Sequence, residues 1–447
     1  MVENRSYSRT LSDYLAENAW LYDVAYRGIM GFAWRVFAYN SPMEWMTMKW
    51  MVLSAWFLMM VSAACTEVST DLASRGGLDD ATLLDDDEDW GDDDWTLDNW
   101  RQAAESGNAE AQYTLGWYYD SGIGVEEDAA QATAWYRKAA EQGHAAAQHN
   151  LAINYEAGLG VEKDLAQAVA WYHKAAEQDC AVAQHNLGLC YKHGRGVEKD
   201  SAQAIAWCRK AAEQEYAEAQ YTLGEHYDNG DGVVKDAAQA VAWYRKAAEQ
   251  GHAGAMTNLG VCYDWGDGVE QDSAQAFAWF MKAAQQDYAC AQNNLGACYE
   301  NGTGVDKEAK QAFAWYRKSA EGGCHDGQFN LGRCYFNGIG VTRNIRQAVA
   351  WYEKSAHQGL AEAQHVLAIC YEHGLGVTKD AEQAFAWYKK AAQQGEAEAQ
   401  YNLGRCHEHG IGVPEDINEA FGWYKKSAQQ GNENARKALR KLAPLSL

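Results

Sequence analysis

Three pairs of the form Cys-x-x-His are the residues of this sequence best suited to bind a metal. The pairs are Cys190 with His193, Cys370 with His373, and Cys406 with His409. Residues three apart on a helix lie on one face, so each pair offers two adjacent ligands. A structural zinc site needs four ligands, and the three pairs lie far apart in the sequence. We therefore predict no metal and no cofactor, and we interpret the pairs as drift of a repeated consensus.

Six cysteines, including the three of these pairs, recur at intervals of 36 residues or twice that. They are Cys190, Cys262, Cys298, Cys334, Cys370 and Cys406. Equivalent residues of stacked helical repeats lie ~10 Å apart, whereas a disulfide needs Cα atoms within ~7 Å. These cysteines are therefore predicted to be small apolar side chains inside the stack. Pairing of Cys190 with Cys208, or of Cys324 with Cys334, remains an alternative.

Signatures of common enzymes are missing from the sequence. Its recurrent Gly-x-Gly lacks the third glycine and the Lys-Ser/Thr of a phosphate-binding loop, which predicts a turn. Gly-x-Ser-x-Gly, Ser-x-x-Lys and His-Glu-x-x-His do not occur. A net charge of −24 argues against nucleic-acid binding, which depends on cations that neutralise phosphates. We predict that the protein is not an enzyme and has no nucleic-acid partner.

The elements that carry these residues form a repeat array with a period of 36 residues. The first repeat begins at Ala109, and later ones begin at Ala145, Ala181, Ala217, Ala253, Ala289, His325, Ala361 and Ala397. In each repeat, a first helix with a Leu column ends at Gly-x-Gly-Val, because glycine permits the positive φ of a turn. A second helix begins at an acidic or Asn cap and carries a Trp that we predict to lie in the core.

The recurring residues resemble those of a known family. The pattern Ala-x-Ala-Gln, Leu-Gly, Tyr, Gly-x-Gly-Val, Asp, then Ala-x-Trp-Tyr-x-Lys-Ala-Ala-x-x-Gly is similar to the Sel-one-like repeat, a relative of the tetratricopeptide repeat. The resemblance implies an all-α fold, a right-handed α/α superhelical solenoid of 36-residue helix-turn-helix repeats. It also implies an adaptor that assembles other proteins.

By analogy to tetratricopeptide arrays, variable positions of the first helices, namely 2, 5, 9, 12 and 13 counted from the start of each repeat, face a concave groove. Counting the start of each repeat as position 1, the aromatic, aliphatic and amide side chains at positions 5, 6 and 9 suit a peptide or a partner helix. Arg333 and Arg405 are placed to hold acidic groups. An equal alternative for the Asn column at position 6 is hydrogen bonding within the protein. The predicted groove residues are Tyr113, Trp117, His149, Asn150, Ile153, His185, Asn186, Leu189, Tyr221, Phe329, Asn330, Arg333, His365, Ile369, Tyr401, Asn402 and Arg405.

Sequence outside the repeats divides into short segments. Residues 1–47 are an uncertain N-terminal segment that we suspect precedes the true start at Met48. Residues 48–65 read as a signal peptide or a membrane anchor, with Cys65 as a site of lipidation, and 66–94 as an acidic linker. Residues 95–108 are predicted to be a capping half-repeat, 109–432 the nine repeats, and 433–447 the C-terminal cap.

Together, these predictions describe a non-catalytic scaffold that binds a protein partner in its groove. We expect it to be exported and held at the cell envelope, on the periplasmic side or as an outer-membrane lipoprotein, through residues 48–65. The first alternative is a cytoplasmic or host-delivered adaptor of the same fold. The second is an envelope hydrolase or a carbohydrate-binding module.

Overall fold

A computed structural model describes residues 96–442, which belong to one compact unit, Asp92–Leu447. The predicted segments 1–47, 48–65 (with Cys65) and 66–94 lie outside the described residues. Within 96–442 the chain forms twenty helices and no strand. In this same range, no helix is both long and apolar enough to cross a membrane.

The helices follow one another with short connections. They are α1 (Leu97–Glu105), α2 (Ala109–Ser121), α3 (Ala129–Glu141), α4 (Ala145–Ala157), α5 (Leu165–Ala176), α6 (Ala181–His193), α7 (Ser201–Glu213), α8 (Ala217–Asn229), α9 (Ala237–Glu249), α10 (Ala253–Trp265), α11 (Ser273–Gln285), α12 (Ala289–Asn301), α13 (Ala309–Glu321), α14 (His325–Asn337), α15 (Ile345–His357), α16 (Ala361–His373), α17 (Ala381–Gln393), α18 (Ala397–His409), α19 (Ile417–Gln429) and α20 (Glu433–Leu442).

Each repeat contributes one helix pair. Even-numbered helices from α2 to α18 are the first helices of the nine repeats, and odd-numbered helices from α3 to α19 are the second helices. Each helix packs against the one before it and the one after it. At the ends, α1 packs on α2 and α20 packs on α19, so both end repeats have a helix stacked on them. The fold is thus an all-α solenoid of two-helix repeats.

The predicted turn and cap residues hold the helices in this arrangement. Gly158 ends α4 with φ +78°, a conformation that favours glycine. Gly160 follows with φ +62°, and a Cβ there would lie 1.9 Å from the carbonyl oxygen of Ala129 in the preceding repeat. The cap of α5, Asp164, accepts hydrogen bonds from the backbone N–H groups of Ala166 and Gln167 at 3.0 Å. The turn therefore both reverses the chain and allows adjacent repeats to approach.

Leu and Tyr side chains form the core between the helices. The Leu column at position 7 is buried, as is a Tyr column at position 28 that consists of Tyr136, Tyr172, Tyr244, Tyr316, Tyr352, Tyr388 and Tyr424. The prediction that the Trp column lies in the core holds for Trp207 and Trp387, while the other seven Trp rings are half-buried. A Lys three residues later places its ammonium 3.5–4.2 Å from the centre of each Trp ring.

Glutamine side chains join one repeat to the next inside this core. Buried Gln148 donates to the carbonyl of Ala140 in the preceding repeat at 3.0 Å and accepts from Gln178 at 2.7 Å. The fifth repeat (253–288) has Met256 in this column, so Gln286 lies 3.9 Å from a thioether sulfur and donates to the carbonyl of Gly251 in the fourth repeat at 3.0 Å. The junction of the fourth and fifth repeats therefore keeps this bond but lacks the one from a buried glutamine amide to the preceding repeat.

Candidate partner-binding face of the first helices

Predicted groove positions of two successive first helices, α10 and α12, lie side by side. Positions 9, 12 and 13 of α10 and positions 6, 9 and 13 of α12 line one cavity. We call the surface formed by positions 5, 6, 9, 12 and 13 of the first helices the first-helix face. It carries four large hydrophobic side chains that are exposed, namely Trp117, Ile153, Val261 and Trp265.

Most of the predicted groove residues are only partly accessible. Trp117 and Ile153 are exposed, whereas His185 and Asn402 are buried. The half-buried ones are Tyr113, His149, Asn150, Asn186, Leu189, Tyr221, Phe329, Asn330, Arg333, His365, Ile369, Tyr401 and Arg405. The face is therefore a packed surface with a few projecting side chains.

Aromatic residues at position 5 pack inside the array. The Tyr113 ring stacks on His144 with centroids 4.7 Å apart, and Tyr221 stacks on His252 at 4.5 Å. Phe329 and Tyr401 lie against Tyr352 and Tyr424, each with ring centroids 5.6 Å apart. A variant at these positions would change the packing of the array as well as the face.

Histidines at position 5 bond to position 6 of the following repeat. The Nε2 atom of His149 accepts from the Asn186 amide at 3.0 Å, and His365 accepts from Asn402 at the same distance. His185 lies 3.1 Å from the hydroxyl of Thr222. Burial lowers the pKa of His185 to about 4 and also lowers the pKa of His149, so both rings are neutral near pH 7.

The Asn column at position 6 is thus engaged within the protein. Besides Asn186 and Asn402, Asn330 donates to the side chain of Asn293 at 2.9 Å. Of the two alternatives for this column, these contacts favour internal hydrogen bonding. The bonds join neighbouring first helices.

Carboxylates at position 12 accept from the buried Tyr column. The hydroxyl of Tyr172 donates to Glu156 at 2.8 Å, and that of Tyr316 donates to Glu300 at 2.6 Å. The same bond occurs in six repeats, between Tyr136 and Asp120, Tyr172 and Glu156, Tyr244 and Asp228, Tyr316 and Glu300, Tyr388 and Glu372, and Tyr424 and Glu408. This hydrogen bond fixes the first helix against the second within each of these repeats.

Both arginines of the predicted groove already hold acidic groups of the protein. Arg333 lies 2.5 Å from Glu300, and Arg405 lies 2.7 Å from Glu372, each in the preceding repeat. Burial alone would raise the pKa of Glu372, but hydrogen bonds from Tyr388 and Arg405 outweigh it and lower the pKa. These arginines therefore neutralise internal carboxylates.

The fifth repeat departs from this pattern and contains a cavity. Phe280 occupies the Tyr column there, so no hydroxyl reaches Asp264 at position 12. A cavity of about 110 Å³ lies at this place, and Trp265 beside it is 79% exposed. Its lining residues are Val261, Asp264, Trp265, Phe280, Asn294, Ala297, Cys298, Asn301 and Thr303. An apolar side chain of a partner, or one that also pairs with a carboxylate, fits such a site.

Sequence reasoning missed Trp265 and Asp264 as site residues. It assigned positions 12 and 13 to the groove but named no residue there. The signal was present in the columns, because position 13 holds Ser, Ala, His or Asn in the other repeats. A single large aromatic in a column of small and polar residues distinguishes the fifth repeat.

The cysteine column lies in the core as predicted. All six members are buried, and burial raises the pKa of Cys190 to about 11 and that of Cys298 to about 12. Neither Cys190 with Cys208 nor Cys324 with Cys334 is bonded, since all four are free. The described range contains no group of three or more His, Cys, Asp or Glu residues that could hold a metal.

Comparison with known proteins supports the family resemblance. The Sel1 repeat profile matches residues 109–144, 145–180, 181–216, 217–252, 253–288, 291–324, 325–360, 361–396 and 397–432. The chain belongs to the Sel1 repeat family. Sel1 repeat solenoids are typical of adaptors for protein–protein interaction and are generally non-catalytic. No curated protein matched the chain.

Two solved structures illustrate what the chain is similar to. One is c5321, a protective antigen present in uropathogenic Escherichia coli strains, with 37% identity and a TM-score of 0.57; the match covers 78% of this chain and 82% of c5321. Another is a Sel1 repeat protein from Oxalobacter formigenes, with 34% identity and a TM-score of 0.48; the match covers 56% of this chain and 98% of that protein.

Proposed function

We propose that this protein is a non-catalytic scaffold that binds an extended segment or a helix of a partner protein along the first-helix face. The observation that carries the proposal is Trp265, 79% exposed beside a cavity of about 110 Å³. An exposed tryptophan next to a concave, partly apolar site is typical of the anchor residues of protein interfaces. The centre of the interface is therefore the junction of the fifth and sixth repeats.

The bonding pattern of the other repeats supports this location. Where position 12 accepts from the Tyr column, as in Glu300 with Tyr316, the hydroxyl fills the space between the two helices. Arg333 covers the same carboxylate from the next repeat. In the fifth repeat both partners are missing from Asp264, because position 28 is Phe280 and position 9 of the sixth repeat is Ala297. The cavity is what remains, and it leaves room for a partner side chain.

The energetic contribution of Trp265 can be estimated from its exposure. Covering a tryptophan removes ~150–250 Å² from water, at ~25 cal/mol per Å². Since 79% of this side chain is exposed, the gross gain is about 4 kcal/mol. Ordering costs reduce this value, and alanine substitution of such anchors costs ~2 kcal/mol or more. Trp265→Ala should therefore weaken partner binding roughly 30-fold.

A matched pair of valines tests the location of the interface. Val261 on the first-helix face and Val234 in the turn of the fourth repeat are both exposed, at 39% and 88%. Partners are captured on the full chain and their affinities are measured for Trp265→Ala, Val261→Ser and Val234→Ser. We expect the first two variants to lose affinity and the third to bind as the wild type does. Equal affinity for all three would overturn the proposal.

We propose further that the array acts outside the cytoplasm, held through residues 48–65 with Cys65 as the lipid-bearing residue. The support is the basic, apolar and small-residue order of that segment. Fatty-acid labelling of the wild type and Cys65→Ala in a bacterial host tests this. Label that is lost in the variant is the expected result. An unlabelled wild type found in the cytosol would favour the cytoplasmic alternative.

A further inference from the structure

Two cysteines outside the buried column lie close together at the junction of the sixth and seventh repeats. Cys290 is the second residue of α12, and Cys324 is the N-cap of α14. Their Sγ atoms are 3.7 Å apart. Cys290 is exposed and Cys324 is 8% exposed, so one thiol of the pair is open to solvent and the other is nearly covered.

The same two repeat positions hold ion pairs elsewhere in the array. In the first repeat, His144 lies 2.9 Å from Glu110, and in the fourth, His252 lies 3.2 Å from Glu218. Each pair joins the start of one first helix to the cap of the next. The positions of Cys290 and Cys324 are thus a place where this fold bridges consecutive repeats through side chains.

The surroundings of Cys324 favour its thiolate. The hydrogen bond from the Cys290 thiol lowers the pKa of Cys324 most, and the backbone N–H groups of Gly327 and Asp326 act in the same direction against the effect of burial. A thiolate at a helix N-terminus is the usual form of a reactive cysteine. The pKa of Cys290 is raised, first because it shares its proton with Cys324.

We propose that Cys290 and Cys324 are a modification site at which a disulfide joins α12 to α14. The oxidant is a small disulfide such as oxidised glutathione. Cys290 passes its proton to the Cys324 thiolate across their hydrogen bond, and its sulfur attacks the oxidant, which leaves a mixed disulfide on Cys290 and releases one thiolate. The released thiolate takes the proton from Cys324, whose sulfur then attacks Cys290 Sγ and releases the second thiolate. In total, one thiol and one thiolate of the protein lose one proton and two electrons, and the small disulfide becomes one thiol and one thiolate.

The geometry requires only a small movement. A disulfide S–S bond is ~2.05 Å long, so the sulfurs approach by about 1.7 Å from their separation of 3.7 Å. Cys290 is exposed and can change its rotamer without displacing core side chains. The neighbouring Cys298 and Cys334 are buried, at 3% and 1% exposure, and so are poor competitors for the oxidant.

Peptide mapping of the full chain tests the proposal. The protein is equilibrated in mixtures of reduced and oxidised glutathione, alkylated, and digested with trypsin. Cleavage after Lys and Arg places Cys290 in peptide 283–307 and Cys324 in peptide 319–333. We expect these peptides to be linked in the oxidised protein, with fragment ions that place the bond at Cys290 rather than at Cys298. The linked species should disappear after reduction and in Cys290→Ser.

A stability readout separates this bond from nonspecific oxidation. Oxidation should raise the unfolding temperature of the wild type and leave that of Cys290→Ser unchanged, because only the wild type gains a link between α12 and α14. Full alkylation of both cysteines across glutathione mixtures that oxidise a control protein dithiol would overturn the proposal. A link from Cys324 to Cys298 would also overturn it.

Discussion

Phe280→Tyr should stabilise the fifth repeat, and Tyr316→Phe should destabilise the sixth. In the sixth repeat the Tyr316 hydroxyl donates to Glu300 at 2.6 Å. Phe280 and Asp264 line the same cavity, so a hydroxyl added to Phe280 can donate to that carboxylate. A hydrogen bond to a charged group contributes ~1.5–3 kcal/mol. Since Asp264 is half-buried, we expect about 1.5 kcal/mol of stabilisation for Phe280→Tyr, and a loss of similar size for Tyr316→Phe.

Native-state hydrogen exchange measures these two changes locally, because the repeats of a solenoid need not unfold together. A change of about 1.4 kcal/mol alters the opening equilibrium tenfold. Amides of α11 should therefore exchange roughly tenfold more slowly in Phe280→Tyr, and those of α13 tenfold faster in Tyr316→Phe. Unchanged exchange of α11, together with faster exchange of α13, would refute the placement of Asp264 beside the Phe280 ring. Phe280→Tyr should also weaken partner binding, since the hydroxyl occupies the cavity.

Four further substitutions test the packing of the array. Burial lowers the pKa of His185 to about 4, so the unfolded chain binds a proton at this residue before the folded protein does. The protein should therefore lose stability as the pH drops from 6.5 towards 4, and His185→Gln should flatten this part of a pH–stability curve. Met256→Gln should restore the bridge to Gln286 and raise stability by about 1 kcal/mol in denaturant unfolding, and a lower midpoint would contradict the bridge. Gly160→Ala should cost at least ~2 kcal/mol, because its Cβ meets a carbonyl of the preceding repeat, whereas Gly124→Ala, with nothing within 4 Å, should cost only the strain of positive φ. Equal losses in the two glycine variants would argue against the close approach.

The sequence was sufficient to predict the helix pairs of the repeats and the turns within them. Position-specific residues determine these features locally: Gly158 requires a positive φ, and Asp164 caps the helix that follows it. The burial of the Trp column was predicted less well, because the large apolar side chain of tryptophan suggested a place in the core. The structure instead buries Tyr at position 28, one residue after the Trp, where the ring faces the first helix and its hydroxyl meets a carboxylate.

The composition of the candidate site was harder to predict. Contacts such as that between His149 and Asn186 join residues 37 apart, and which side chain bonds to which depends on the exact stacking of the repeats. The residue types in one column do not show whether their polar groups already form hydrogen bonds within the protein. Cys290 was missed for the same reason: its partner Cys324 is 34 residues away, at a contact visible only once the helices are stacked. Comparison of columns 12 and 28 adds to the signal of Trp265, because the fifth repeat is the one that combines a carboxylate, Asp264, with a residue other than tyrosine, Phe280.

Photo-crosslinking from the first-helix face shows directly whether a partner protein binds there. A photoreactive phenylalanine analogue replaces Trp265 in one full-length variant and Val234 in another, and both are irradiated in cells that express the protein. We expect a partner adduct at Trp265, mapped to one segment of one protein, and none at Val234, although both sites are exposed, at 79% and 88%. Adducts of equal yield at both positions, or an adduct at Val234 alone, would contradict this expectation.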